Sequence, residues 1–189
     1  IGGTVDNLSV EDWNKIIDVN IRGVVNGIQA AYPIMIAQGF GHIVNTASMA
    51  GLMPNPMNAA YAATKHAVVG FSQSLRIEAA FLGVRVSVIC PGLVRTPIMR
   101  GGEYGAIKAK IPQEKLDEMW EDLKPMDPDL FAKKVLNDLA KNKAMIIYPA
   151  WWKILWFLNR FSLTLGMAFT NHRFGNILKE HDLFKKQKS

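Results

Sequence analysis

Tyr61 and Lys65 stand one helical turn apart, and Ser48 lies a short loop upstream of them. Side chains four residues apart on a helix share a face, so the phenol and the ammonium would project together. A neighbouring ammonium favours the phenolate, and it should draw the phenol pKa down from about 10 toward working pH. Tyr61 is then a candidate general acid-base for an alcohol or a carbonyl. The same pair on an arbitrary helix is a tyrosine packed under a lysine stem. The elements around it decide between the two.

Gly41-His42-Ile43-Val44-Asn45-Thr46-Ala47 is rich in β-branched residues and reads as a buried strand, with Ser48 at its carboxyl end. Open α/β sheets bind their ligands there. Gly51 and Pro54-Asn55-Pro56 break the chain before a long helix, expected from about Asn58 to Leu82. A hydroxyl at the strand end and a phenol on that helix could meet over one substrate oxygen. A second apolar strand, Val84 to Cys90, closes on Pro91-Gly92, with Val94 and Thr96 beyond. Each piece also has an ordinary reading. Ser48 could be a turn or N-cap serine, and Pro91-Gly92 a plain strand-ending turn. Asn20 could be a helix-kink residue bonded to backbone.

Taken in order, Val19-Asn20, Ser48, Tyr61-x-x-x-Lys65, Pro91-Gly92 and Thr96 resemble the C-terminal part of a short-chain dehydrogenase/reductase, most closely over residues 4–98. The resemblance implies an α/β fold with a Rossmann-like doubly wound parallel sheet. Residues 1–150 would be the C-terminal part of that domain and 151–189 its apolar and basic helical extension. It implies hydride transfer between NAD or NADP and an alcohol/ketone pair. The implied catalytic set is Asn20, Ser48, Tyr61 and Lys65. Tyr61 would exchange the proton and Ser48 would hold the substrate oxygen. Lys65 would bind ribose hydroxyls and stabilise the phenolate, and Asn20 would support a water beside it. Cofactor contacts would come from Tyr61, Lys65, Pro91, Gly92, Val94 and Thr96, and substrate contacts from Ser48, Tyr61, Met53, Leu93 and Met99. Met53, Leu93, Ile98 and Met99 could equally be core. A homodimer or homotetramer is implied, with the Asn58–Leu82 helix offering Ala67, Val68, Phe71, Leu75 and Ala79 either to a partner or to the sheet.

A Gly-rich strand-to-helix turn for a pyrophosphate is missing. Gly2-Gly3, Gly39-x-Gly41 and Gly101-Gly102 lack that setting. The chain opens where the resemblance places the exit of the fourth strand, so the dinucleotide-binding half is expected in a longer protein. Three strands near 42–47, 84–90 and 144–148 would form half a sheet with one edge uncovered. NAD and NADP cannot be told apart without the residue after the second strand. The competing class is a truncated, non-catalytic relative acting as an interaction or membrane-associated module.

The remaining patterns narrow the field. Ser9-x-x-Asp12 opens a helix in capping-box style that runs to about Ala37. Further helices are expected near Gln113–Leu123 and Pro128–Lys141, with a last strand at Ala144–Tyr148. From Ile98 to about Pro112 the chain is Gly-rich, with Gly101, Gly102 and Gly105, and the resemblance places the substrate lid there. The single cysteine, Cys90, excludes an intrachain disulfide, and the four histidines form no spaced pair, so no metal is expected. The net charge of +6 is scattered among acids, carries no nucleic-acid motif and calls for no nucleic-acid partner. From Trp151 the chain is strongly apolar, interrupted by Lys153 and Arg160, which argues against a spanning helix. It reads as a helix pair over the pocket or a subunit interface, or else as a helix lying on a membrane across residues 151–170. Lys185-Lys186-Gln187-Lys188 would assist the second reading. So much apolar surface beside the expected lid favours a lipid-like, steroid-like or acyl substrate over a sugar. A cytoplasmic location is expected, with membrane association through residues 151–170 as the alternative.

Overall fold

Ser9 begins the first helix of the computed structural model, which describes residues 1–100, 108 and 112–181. Its hydroxyl accepts from the Asp12 N–H at 3.2 Å, and the Asp12 carboxylate accepts from the Ser9 N–H at 2.9 Å. This capping box satisfies two donors that α1 (Val10–Ile17) would otherwise leave open. The Lys108 ammonium pairs with the same carboxylate. The chain then passes through a π-helical turn, Asp18–Arg22, into α2 (Gly23–Gln38). The one helix expected from Ser9 to Ala37 is therefore interrupted, and the interruption falls on Asn20.

Three parallel strands follow, β1 (Gly41–Thr46), β2 (Val84–Pro91) and β3 (Met145–Tyr148), in that spatial order. The β1–β2 register runs from Gly41 against Val84 to Thr46 against Ile89, and β2–β3 from Val88 against Met145 to Pro91 against Tyr148. Between β1 and β2 lies α3 (Ala59–Ala80). After β2 come α4 (Gln113–Asp122) and α5 (Pro128–Ala140). Strand β2 is buried on both faces, as a central parallel strand must be. Val84 and Val86 meet Ile28 of α2 and Leu75 and Ala79 of α3, whereas Ile89 turns to Val135 of α5. Helices thus cover both faces of the sheet, which is the doubly wound arrangement. The outer edge of β1 pairs with no strand among the described residues.

The structure divides the face of α3 that the sequence left undivided. Val68, Leu75 and Ala79 are buried on the sheet, while Ala67 and Phe71 face outward. The tail forms α6 (Trp152–Phe161) and α7 (Leu163–His181). Trp152, Leu155 and Trp156 pack on a cluster containing Ala47, Met49 and Met53. No described helix is long and apolar enough to cross a membrane. Gly101 to Gly105 of the expected lid and the Lys185–Lys188 run lie outside the described residues.

Ser9→Ala removes a capping side chain and should cost about 1 kcal/mol in urea unfolding. The Asp12 carboxyl is held down at about 2 by Lys108 first and by Ser9 next. A depressed carboxyl stabilises the fold above its ordinary pKa and loses that effect as pH falls through the folded value. The urea-midpoint difference between the natural chain and Asp12→Asn should therefore shrink between about pH 4 and pH 2. A difference unchanged down to pH 2 would contradict the pairing.

Candidate active site

Ser48 leaves β1 in an extended conformation, φ −172° and ψ 164°, and accepts from the Ala50 N–H at 3.1 Å. It thereby caps the 3-10 turn Met49–Gly51, so its ordinary reading as an N-cap also holds. Gly51 then lies hard against α3. A Cβ there would stand 2.5 Å from the Lys65 carbonyl oxygen, so no larger residue fits without displacing backbone. That contact presses the loop behind Ser48 onto the helix that carries Tyr61 and Lys65. Lys65 reaches back across it, and its ammonium donates to the Thr46 carbonyl at 2.9 Å. The same ammonium lies 5.6 Å from the centroid of the Tyr61 ring. Ser48, Tyr61 and Lys65 therefore converge at the carboxyl end of β1, where the sequence placed them.

Burial governs the electrostatics here. It pushes the Tyr61 phenol above its ordinary pKa of 10.0, and the Ser48 hydroxyl only partly opposes it. The expectation that Lys65 would pull the phenol below 10 is thus corrected. Desolvation of the phenolate dominates, with the Ser48 hydrogen bond opposing it, and burial lowers the Lys65 ammonium as well. The Cys90 thiol is raised to about 12 by burial, against smaller opposing effects of the Ser48 backbone N–H and Lys65. It is a fully buried, protonated thiol, in keeping with its reading as a small hydrophobe.

Asn20 sits in the π-helical turn, and its amide donates to the Thr64 hydroxyl at 3.1 Å. Thr64 in turn donates to the Tyr61 carbonyl at 2.8 Å. Asn20 is thus tied by a side chain, rather than by helix backbone, to the turn that bears Tyr61 and Lys65. Sequence reasoning missed Thr64, although its position directly before Lys65 was a signal. It also missed Asn45, whose buried amide donates to Ser72 at 2.9 Å and fastens β1 to the middle of α3. Alternation along β1 could have found that one, because Asn45 shares a face with buried Ile43 and Ala47.

The remaining candidates divide. Pro91 ends β2, and the Gly92 N–H donates to the Tyr148 carbonyl at 2.8 Å. The Trp152 ring lies against Gly92 so closely that a Cβ would stand 2.2 Å from its Nε1. Val94 forms a bridge with Met126, and Leu93 and Arg95 exchange backbone hydrogen bonds with the same residue. Thr96 is half-buried beyond it. Met53 belongs to the core cluster with Val68 and Cys90, and Ile98 is exposed. Met99 begins no helix of its own but lies in the 3-10 turn Pro97–Arg100, and its side chain lies outside the described residues.

The sequence pattern of the short chain dehydrogenases matches residues 1–103, more than half of the chain. The chain belongs to that family. An uncharacterised oxidoreductase of Staphylococcus epidermidis is 42% identical over 108 residues, covering 57% of this chain and 47% of the relative. A Mycobacterium tuberculosis protein, provisionally described as the oxidoreductase SadH, is 37% identical over 148 residues, covering 77% of this chain and 52% of the relative. A crystal structure of a short chain dehydrogenase/reductase from Burkholderia phymatum, in complex with NAD, superimposes with a TM-score of 0.72 at 29% identity. That match covers 87% of this chain and 63% of the other. The chain spans about half the length of the curated relatives it matches. Its fold is the parallel α/β fold of the family.

The close packing of Gly51 on α3 can be tested directly. Gly51→Ala should destabilise the fold by about 1–3 kcal/mol in urea unfolding, because the contact it violates is with backbone. A neutral substitution would show that the loop behind Ser48 is free to shift.

Proposed function

We propose that the protein bearing this chain is an NAD- or NADP-dependent oxidoreductase that interconverts an alcohol and a ketone at the carboxyl end of β1. The observation that carries this reading is the convergence of the Ser48 hydroxyl, the half-buried Tyr61 phenol and the buried Lys65 ammonium. The residues present fit the nicotinamide riboside part of such a cofactor. An ammonium has three donors, and the described residues show one used, on Thr46, with no carboxylate against it. Ribose hydroxyls are suitable acceptors for the others. Lys65 and Tyr61 would hold that part, with Pro91, Gly92, Val94 and Thr96 beside it. When bound, the cofactor supplies or takes the hydride.

The chain's own residues would manage the oxygen and its proton. Ser48 accepts from Ala50, which leaves its own proton to donate to the substrate oxygen. Tyr61 donates the second hydrogen bond and passes its proton to that oxygen as the carbonyl is reduced. Its raised pKa keeps the phenol protonated at neutral pH, so the form needed for reduction is the form present. Oxidation of an alcohol needs the phenolate and should accelerate as pH rises. Asn20 directs its amide nitrogen to Thr64, leaving its carbonyl oxygen to accept from a water that returns protons toward Lys65. Leu52, in the turn after Ser48, and Leu93, after Gly92, are half-buried and would give the substrate an apolar surrounding.

Tyr61→Phe in the intact protein should lower turnover of apolar ketones with NADH or NADPH by about 10²–10⁴-fold. Cofactor affinity, read from nicotinamide fluorescence, should change little. Retained turnover would remove Tyr61 from the proton-transfer role. Lys65→Ala should weaken both cofactor binding and turnover, and unchanged affinity would exclude its ribose contact. Ultraviolet titration offers a separate check. The absorbance difference between the natural protein and Tyr61→Phe should report a phenol ionising above its ordinary 10.0.

A further inference from the structure

Helix α6 has two apolar faces. One is already used, with Trp152, Leu155 and Trp156 on the core and the Asn159 amide reaching the Leu52 carbonyl at 3.5 Å. The other carries Ile154, Phe157, Leu158 and Phe161, exposed by 64%, 60%, 56% and 90%. Their spacing makes one continuous stripe. Leu165 and Met167 prolong exposed apolar surface onto α7. Single exposed leucines need no explanation, but a contiguous stripe of this kind marks an interaction surface.

Charge indicates what covers it. Helices α6 and α7 contain four Lys and Arg, at 153, 160, 173 and 179, against one acid, Glu180, in the last turn of α7. No Asp or Glu lies in α6 or the start of α7. The Lys153 ammonium lies 5.5 Å from the Tyr148 ring centroid, whereas Arg160 is exposed beside the stripe, with its guanidinium 5.8 Å from the Trp156 ring centroid. Aromatic and aliphatic residues flanked by cations, with no acid among them, complement an anionic, apolar surface. A second copy of this chain complements it poorly. A two-fold pairing of the stripe would set Arg160 near its own equivalent, with no carboxylate in the stretch to answer it.

We propose that α6 and the start of α7 form a peripheral docking surface for an anionic lipid bilayer, with Ile154, Phe157, Leu158 and Phe161 inserted among the headgroups. The helix would lie in the interface, since it is too short to cross. This docking does not rest on the catalytic reading. It does place the bilayer behind the helix whose inner face touches Gly92 and Leu52.

The test is co-sedimentation of the intact protein with vesicles of phosphatidylcholine alone and with phosphatidylglycerol added. Binding should appear with phosphatidylglycerol and weaken as salt is raised. Phe157→Ser and Phe161→Ser should each reduce partitioning by about tenfold or more, from the apolar area lost. Arg160→Glu should reduce it by a similar factor through charge alone. These side chains point away from the core, so the melting temperature of each variant should match the natural protein. Binding to neither vesicle, or to both equally, would overturn the proposal. So would a fall in sedimentation mass from oligomer to monomer in Phe161→Ser, without any vesicle binding, because the stripe would then be a self-interface. Loss of catalysis in Tyr61→Phe with vesicle binding intact would leave it standing.

Discussion

The hydrogen bond from the buried Lys65 ammonium to the Thr46 carbonyl is the constraint around which the site is arranged. A desolvated ammonium is costly unless its donors are met, so Lys65 must keep an acceptor within reach. Thr46 is the last residue of β1, and Lys65 lies in the second turn of α3. The bond therefore fixes the start of the helix relative to the end of the strand. Gly51 allows the intervening loop to lie flat on that helix, and the Asn45–Ser72 bond repeats the tie further along it. Ser48 is held between these fastenings. Its position against Tyr61 follows from how strand and helix are joined, and the hydrogen bond from the Ala50 N–H holds its hydroxyl there.

Burial makes the joint stable and also sets its proton inventory. It raises the Tyr61 phenol and lowers the Lys65 ammonium, so each group is moved toward its neutral form. A site made of two opposite charges in water would hold a phenolate beside an ammonium. Taken out of water, the same pair prefers to keep the proton on oxygen. The ammonium lies 5.6 Å from the ring centroid, and its described hydrogen bond goes to the Thr46 carbonyl. Anything that brings hydroxyl groups to Lys65 changes the balance by stabilising its charge. The acid strength of Tyr61 is then coupled to what occupies the neighbouring space.

Much of this was legible because it is local. The β-branched runs gave β1 and β2, Ser9 and Asp12 gave the start of α1, and the Tyr61–Lys65 spacing gave a shared helix face. What escaped was tertiary. The π-helical turn at Asn20 answers to Thr64, 44 positions away, and no periodicity within the helix announces it. The sign of the Tyr61 shift depends on burial, which spacing does not contain. Met53 was readable as pocket or core, and only its contact with Val68 and Cys90 places it in the core. On α3, Val68 and Phe71 are alike in hydrophobicity and differ only in which has the sheet in front of it.

Helix α6 shows why hydrophobicity alone could not resolve the tail. A helix apolar on all sides is ordinarily buried on all sides. Here the inner side is fixed by shape, because the indole of Trp152 fits only over a residue without a Cβ, and Gly92 provides it. Once Trp152 is seated, residues 154, 157, 158 and 161 must turn away from the sheet. Their exposure is thus a geometric consequence of the contact at the end of β2. The turn at Pro91-Gly92, beside the candidate cofactor contacts, also orients the outward stripe. A substitution at Gly92 would disturb both at once, so the inner wall of the site and the outer surface of the tail share a single anchor.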